Sequence, residues 1–178
     1  MEHFDTLFLD RDGVINRLLP NDYVKHWDEF HFLDGVQKAA PLLARSFRRI
    51  VVVTNQRGVG RGLMSRTALD DIHDSMSRQI AAWGGRIDRI YSSTDTDEAS
   101  PRRKPNPGMA LEAQRDFPDI VFPRSVMVGD TPSDMRFGER IGAATVRIGE
   151  GPEADFASLY DFARWCAAHP EASSFPKK

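Results

Sequence analysis

The chain has 178 residues, of which 40% are hydrophobic and 28% charged, and its formal net charge is −2. This composition is typical of a globular protein, and the length suits a single domain, expected at 1–170 with a tail at 171–178. The small negative charge disfavours a nucleic-acid binder, which would carry a basic surplus. The one cysteine, Cys166, excludes an internal disulfide and a thiolate metal cluster.

The hydropathy of the chain argues against a membrane partner. No apolar run approaches the roughly 20 residues that a membrane-spanning helix requires. The sequence also reaches Asp5 without a charged and then apolar leader, so we expect a cytoplasmic enzyme. The expected state is a monomer.

Apolar runs predict five buried strands, at residues 6–9, 50–53, 87–91, 125–128 and 145–148. Helical patterns alternate with them, at 35–45, 66–83, 108–116, 133–141 and 156–168. Ser65 is a good N-cap for the second helix, and Pro41 is expected to kink or shorten the first. The alternation predicts a doubly wound α/β fold, in which a mostly parallel sheet has helices on both faces.

Two carboxylates, Asp10 and Asp12, follow the first strand and are followed in turn by Gly13. Ligands of such sheets bind outside the carboxyl ends of the strands, where these residues lie. One carboxylate could attack a substrate and help to hold a cation while the other transfers protons. The structural alternative is an acidic turn without a chemical role.

Thr54 and Asn55 follow the second strand, ahead of the glycine-rich segment 58–62. A hydroxyl group and free backbone N–H groups at a strand end can cradle a phosphate, although such glycines are often only turns. A nucleotide-binding glycine motif needs a helix that begins at the glycines. The helix is predicted only after Met64, so we reject a nucleotide site.

Lys104 lies in a basic loop with Pro105 and Pro107. The prolines stiffen the loop and could hold the ammonium group against a phosphoryl oxygen. The alternative is an ordinary basic loop before a helix.

Asp130 follows the fourth strand, close to Asp10 and Asp12 if these strands are neighbours. Carboxylate oxygens are the ligands that Mg²⁺ prefers, with water and substrate phosphate completing its coordination. Asp134 lies one helical turn further and could orient Lys104 or a water molecule. The alternative for this segment is a helix N-cap at Ser133.

In this order, the motifs Asp-x-Asp, Thr-Asn, Lys and Gly-Asp-x-x-x-Asp resemble the haloacid dehalogenase (HAD) superfamily of phosphotransferases over residues 6–149. Segments 10–16, 54–56 and 103–109 are similar to the branch of histidinol phosphatases and D-glycero-D-manno-heptose-1,7-bisphosphate 7-phosphatases. The glycine–arginine segment 58–62 is closer to the heptose enzymes.

The resemblance implies a Mg²⁺-dependent phosphomonoesterase that acts on a small sugar phosphate through an aspartyl-phosphate. Asp10 would be the nucleophile, and Asp12 would protonate the leaving alkoxide and then activate water. Mg²⁺ would be held by Asp10, Asp130 and the backbone carbonyl of Asp12. The residues that would bind the phosphoryl group or recognise the rest of the substrate are Thr54, Asn55, Arg103 and Lys104. Arg57 and Arg61 would meet a second anionic group of the substrate.

The chain departs from the branch in two places. Members commonly have a zinc loop of three Cys and one His before the Arg-Lys-Pro motif, but segment 91–101 contains neither residue type. No zinc is therefore expected, and other loop contacts should position Arg103. Thr131 stands where the heptose enzymes typically have a lysine that contacts the substrate. The motif spacing leaves no room for a cap domain, so loops would close the site instead, and the candidate loops are segments 18–27, 57–64 and 92–102.

Three alternatives remain open. A histidinol-phosphate phosphatase would favour acidic or aromatic groups at the rim, because its substrate is cationic. A catalytically silent binding domain of the same fold would be expected to have lost its carboxylates. An enzyme that processes nucleic-acid ends would need a basic groove with exposed aromatic residues.

Overall fold

The computed structural model of the protein describes residues 4–176 and contains one five-stranded parallel sheet. The strands are β1 (Thr6–Leu9), β2 (Arg49–Asn55), β3 (Arg89–Ser93), β4 (Ser125–Gly129) and β5 (Ala144–Arg147). Their order across the sheet is β3-β2-β1-β4-β5. All five predicted strands are confirmed, with ends that differ by a few residues.

Helices connect the strands. They are α1 (Val36–Ser46), α2 (Arg57–Gly60), α3 (Arg66–Ala82), α4 (Gly108–Asp116), α5 (Pro132–Arg140) and α6 (Leu159–Ala168). Single 3₁₀ turns lie at Trp27–Glu29 and Phe122–Arg124. The doubly wound α/β prediction is confirmed.

Two local predictions need correction. Helix α1 continues through Pro41 to Ser46, so the proline does not shorten it. Its buried residues Ala39, Ala40 and Leu43 flank the proline, and their packing stabilises the helix across the missing hydrogen bond. The glycine-rich segment also contains the single helical turn α2, where the sequence predicted only a loop.

The central strand has apolar side chains on both faces. Leu7 and Leu9 pack in the core shared with α1, α3 and α6, whereas Phe8 packs in the core shared with α4 and α5. Successive strand residues point to opposite faces, so the continuous apolar run of β1 becomes buried on both sides. Helices on both faces follow from this pattern.

The position of β1 determines where the polar strand ends meet. Leu9 lies opposite Val52 of β2 on one side and Val128 of β4 on the other. The chain winds from β1 towards β3 and then crosses to β4, so its winding direction switches between β1 and β4. In open α/β sheets, the crevice at such a switch point is the usual ligand site.

The segments between the strands are short. Residues 56–88 contain α2 and α3, and residues 10–35 are loops with one 3₁₀ turn, so no cap domain is present there. Among residues 4–176, no helix is long and apolar enough to cross a membrane. In the C-terminal segment, Phe175 stacks on Phe4 with 4.7 Å between ring centroids and contacts Phe162 and Trp165. The predicted tail is therefore in contact with the core at Phe175.

Replacement of the α3 N-cap tests the local stability of the fold. Ser65 accepts a hydrogen bond from the Ala68 N–H at 3.0 Å, as the sequence predicts. We expect Ser65→Ala to lower the free energy of unfolding by about 1 kcal/mol, because that N–H loses its acceptor. Urea denaturation measures the change. Thr67→Ala, an exposed position in the first turn of the same helix, is the matched control and should show no loss.

Candidate active site

A cleft of about 700 Å³ lies at the carboxyl ends of β1, β2 and β4. All ten residues that the sequence predicted for the site line it: Asp10, Asp12, Thr54, Asn55, Arg57, Arg61, Arg103, Lys104, Asp130 and Asp134. They come from four separate segments, and the parallel sheet brings these segments to one edge.

Asp10 and Asp130 meet directly after the two neighbouring strands β1 and β4. The Asp10 N–H donates to the Val128 carbonyl at 3.0 Å, which fixes the start of the first loop against β4. Gly13 has a φ of 85°, and a Cβ atom at this position would collide with the Asp130 carboxylate. A glycine is therefore required for the close approach of this loop to Asp130.

Lys104 is buried between two carboxylates. Its Nζ donates to Asp10 Oδ1 at 2.8 Å and to Asp134 Oδ1 at 2.6 Å. Burial disfavours the ammonium form, but the two carboxylates outweigh it and raise the pKa of Lys104. Lys104 is thus a fixed cation in the cleft.

Asp134 uses both of its oxygens within the protein. Oδ1 accepts from Lys104, while Oδ2 accepts from the Thr131 N–H at 3.0 Å and hydroxyl at 2.6 Å. The hydrogen bond from Lys104 is the contact that the predicted orienting role of Asp134 requires. The alternative cap at Ser133 is wrong, because Thr131 caps α5 in a reciprocal capping box.

The carboxylates of Asp10, Asp130 and Asp134 offer oxygens that lie within 4.8 Å of one another. Burial raises the pKa of Asp10 to about 7 although Lys104 opposes the shift, and burial with the nearby Asp134 charge raises the pKa of Asp130 to about 6. Asp130 Oδ1 is buried without a hydrogen-bond partner among the described residues. Crowded carboxylates with an unsatisfied oxygen fit a hard divalent cation such as Mg²⁺.

Asp12 is held by three donors from three residues. Oδ1 accepts from Arg11 Nη2 and Asn16 Nδ2, both at 2.9 Å, and Oδ2 accepts from Gln56 Nε2 at 2.7 Å. Burial opposes ionisation, but the Arg11 charge and these hydrogen bonds outweigh it and lower the pKa of Asp12. Asp12 is therefore a carboxylate in this state.

Sequence reasoning gave no role to Gln56. Its amide nitrogen bonds both Asp12 Oδ2 and the Thr54 hydroxyl, at 2.7 and 2.9 Å, and so links the first two motifs. Asn55 donates to the Lys104 carbonyl and accepts from the Lys104 N–H, at 3.1 and 3.0 Å. These contacts make Asn55 a clamp on the Lys104 backbone, with one amide N–H left for a ligand.

Arg103 is positioned by the preceding loop, as the sequence predicted. Its guanidinium donates to the Thr96 carbonyl at 2.6 Å and to Glu98 at 3.1 Å. Asp95 closes this loop, because its Oδ2 accepts from the hydroxyls of Ser93, at one end, and Ser100, at the other. These two hydrogen bonds, which we call the Asp95 bridge, therefore hold the loop in this structure.

The walls of the cleft interlock at two glycines. The Tyr23 ring packs against Gly58, and the Thr94 carbonyl packs against Gly60, so closely that a Cβ at either position would collide. Two of the three candidate closing loops, 18–27 and 57–64, supply lining residues, whereas 92–102 lies behind Arg103. Sequence reasoning missed Arg136, which lines the cleft from α5, one turn after Ser133. Helical spacing from Ser133 could have indicated it.

Comparisons with known proteins agree with this geometry. A protein-family model described as HAD-hydrolase-like matches residues 101–160. The chain is 40% identical, over 88% of each chain, to a D-glycero-alpha-D-manno-heptose-1,7-bisphosphate 7-phosphatase of Mycobacterium bovis. It is 39% identical to a beta-heptose enzyme of the same kind from Vibrio cholerae, over 81% of this chain and 82% of that one.

A solved structure has a similar fold. It is the D,D-heptose 1,7-bisphosphate phosphatase from B. bronchiseptica, complexed with magnesium and phosphate, with a TM-score of 0.83 and 30% identity. The match covers 93% of this chain and 99% of that one. The chain therefore belongs to the HAD-like phosphatases, in the family of the heptose-1,7-bisphosphate 7-phosphatases.

Proposed function

We propose that the protein is a Mg²⁺-dependent phosphomonoesterase that removes the 7-phosphate from D-glycero-D-manno-heptose 1,7-bisphosphate. The observation that supports this most is the convergence of Asp10, Asp12, Lys104 and Asp130 on one cleft, in a chain whose relatives carry that activity in their names. We further propose that it acts in the cytoplasm as a monomer. Residues 1–170 would be the catalytic domain and 171–178 a C-terminal tail.

In the first step, a carboxylate oxygen of Asp10 attacks the phosphorus atom and the bond from phosphorus to the leaving oxygen breaks. Asp12 gives its proton to the leaving alkoxide. The ionised Asp12 of this structure must therefore first gain a proton. A phosphate dianion beside it favours that proton, because like charges raise the pKa of a carboxyl group.

In the second step, water attacks the phosphorus of the aspartyl-phosphate while Asp12, now a carboxylate, takes a proton from the water. The bond between phosphorus and Asp10 breaks, which releases phosphate and restores the Asp10 carboxylate. Lys104, with Thr54 and Arg103, would hold the phosphoryl oxygens during both steps.

Mg²⁺ would be held by Asp10, Asp130 and the Asp12 backbone carbonyl. When bound, it neutralises charge on the phosphoryl group and on the carboxylates, so that an anionic nucleophile can approach an anionic ester. No zinc is expected in segment 91–101, where the Asp95 bridge holds the loop.

Arginines at the rim favour a substrate with a second anionic group. Arg57 is the first residue of α2 and Arg61 directly follows that helix, and both line the cleft. Arg136 lines it from α5. A histidinol phosphate is cationic at its amine and would be repelled by these guanidinium groups, so we rank that alternative below the sugar bisphosphate. A silent binding domain would have no need of the buried Lys104–Asp10 pair.

A phosphate-release screen tests the proposed substrate. We expect kcat/KM for the heptose 1,7-bisphosphate, in its better anomer, to exceed that for histidinol phosphate at least about tenfold, because the arginines attract its second phosphate. Mg²⁺ is present throughout, and a chelator control should stop the reaction. Faster hydrolysis of histidinol phosphate would overturn the sugar assignment.

Removal of the proposed nucleophile tests the covalent step. We expect Asp10→Asn to lower kcat at least about 1,000-fold, since an amide cannot form the aspartyl-phosphate. Its circular dichroism spectrum should match that of the parent protein, because the two side chains have the same shape. Near-normal turnover in this variant would refute the nucleophile assignment.

Removal of the Asp95 bridge tests whether the loop positions Arg103 for the substrate. Asp95→Ala removes the acceptor that joins Ser93 to Ser100, so Arg103 loses its support and KM should rise about tenfold, as for one lost charged hydrogen bond. Asp97→Ala is the matched control, because Asp97 is an exposed residue of the same loop. Within residues 4–176, its carboxylate accepts only from the Ala99 N–H. Unchanged KM in Asp95→Ala would contradict the positioning role.

A further inference from the structure

A buried arginine lies directly behind Asp12. Arg11 is fully buried, and its Nη2 donates to Asp12 Oδ1 at 2.9 Å. Its other terminal nitrogen, Nη1, lies 3.1 Å from Nε2 of His73 on α3. His73 thus joins a helix outside the motifs to the carboxylate that would transfer protons.

The chemistry of this contact fixes the state of the histidine. A guanidinium group has only donors, so His73 Nε2 must accept the hydrogen bond and its ring proton must lie on Nδ1. Burial and the neighbouring Arg11 charge lower the pKa of His73 to about 3, which agrees with a neutral ring. A protonated imidazole would repel Arg11 and could not accept from it.

The helix makes the contact rigid. His73 is adjacent to Ile72, which is buried in the core against the sheet, and Met76 anchors the next turn of α3. The Arg11 guanidinium also lies 5.9 Å from the centre of the Phe30 ring. Arg11 therefore has two fixed polar neighbours, His73 on one side and Asp12 on the other.

We infer that His73 is a positioning residue for proton transfer, which holds Arg11 and, through it, the Asp12 carboxylate in its working orientation. This inference rests on the proposed role of Asp12 as the proton donor. Among the described residues, His73 is not part of the cleft lining, so it acts through Arg11 and not on the substrate. Its loss should accordingly change kcat and leave KM nearly unchanged.

Leaving-group dependence gives a readout that a purely structural role would not produce. An alkoxide leaving group needs a proton from Asp12, whereas 2,4-dinitrophenolate leaves without one. The parameter compared is kcat/KM, because it reports only the steps up to departure of the leaving group, before Asp12 acts on water. For His73→Leu we expect kcat/KM to fall about 10- to 100-fold with the best sugar phosphate of the screen, part of the full contribution of general acid catalysis. With 2,4-dinitrophenyl phosphate, kcat/KM should fall under about threefold, because its first step needs no proton from Asp12 and the second step does not enter kcat/KM.

A conservative variant and two controls complete the experiment. His73→Gln should restore most of the activity, because its amide oxygen can accept from Arg11. Asp74→Ala, the exposed neighbour on α3, should behave as the parent protein. Asp12→Asn should show the same leaving-group dependence as His73→Leu. If Asp12→Asn lacks it, the proton-donor role of Asp12 fails and the inference fails with it.

Two results would overturn the inference alone. One is an equal loss of kcat/KM with both esters in His73→Leu while Asp12→Asn discriminates between them. The other comes from ¹⁵N NMR of the unsubstituted protein, which remains decisive if His73→Leu does not fold. We expect a neutral His73 ring with an unprotonated Nε2, and a proton on Nε2 would contradict the hydrogen bond from Arg11.

Discussion

The buried ammonium of Lys104, between Asp10 and Asp134, is the interaction on which the site depends. Buried charges are tolerated only when they are paired and hydrogen-bonded. Here the ammonium group and its two carboxylate partners come from three different segments of the chain. The negative charge of Asp12 is compensated separately, by the guanidinium group of Arg11. Asp10, Asp130 and Asp134, when ionised, carry three negative charges against one ammonium, which leaves the charge of one divalent cation to be supplied. Burial raises the pKa values of Asp10 and Asp130, and the nearby charge of Asp134 adds to both shifts. A divalent cation between these carboxylates would favour their ionised forms.

The sequence predicted the fold because its strands are continuous apolar runs and its motifs each follow one. In a parallel sheet, strand ends that face the same edge must converge, so the meeting of Asp10 with Asp130 required only that β1 and β4 be neighbours. The exact course and caps of the helices were predicted less well, because they depend on a competition between local propensity and packing. Packing overrode the helix-breaking tendency of Pro41, and Thr131 capped α5 ahead of Ser133. Propensity alone does not decide such competitions.

Residues that act through other side chains were harder to predict. Gln56 lies inside a predicted motif, yet its bond to Asp12 arises only when β2 is placed beside β1. His73 occupies a position next to the apolar stripe of α3 and has the sequence signature of an ordinary core residue. Its acceptor role depends on the burial of Arg11, which no periodicity indicates. The packing of the loops around the cleft was equally hard to predict, because these loops touch one another through close contacts at Gly58 and Gly60.

The most direct test is a crystal structure of the protein with Mn²⁺ in place of Mg²⁺ and a phosphate analogue in the cleft, in which anomalous scattering locates the ion. The account predicts one peak within about 2.0–2.3 Å of a carboxylate oxygen from each of Asp10 and Asp130, with Lys104 still bonded to Asp134. An ion coordinated by Asp134 with Lys104 displaced, or no ion near Asp130, would contradict it.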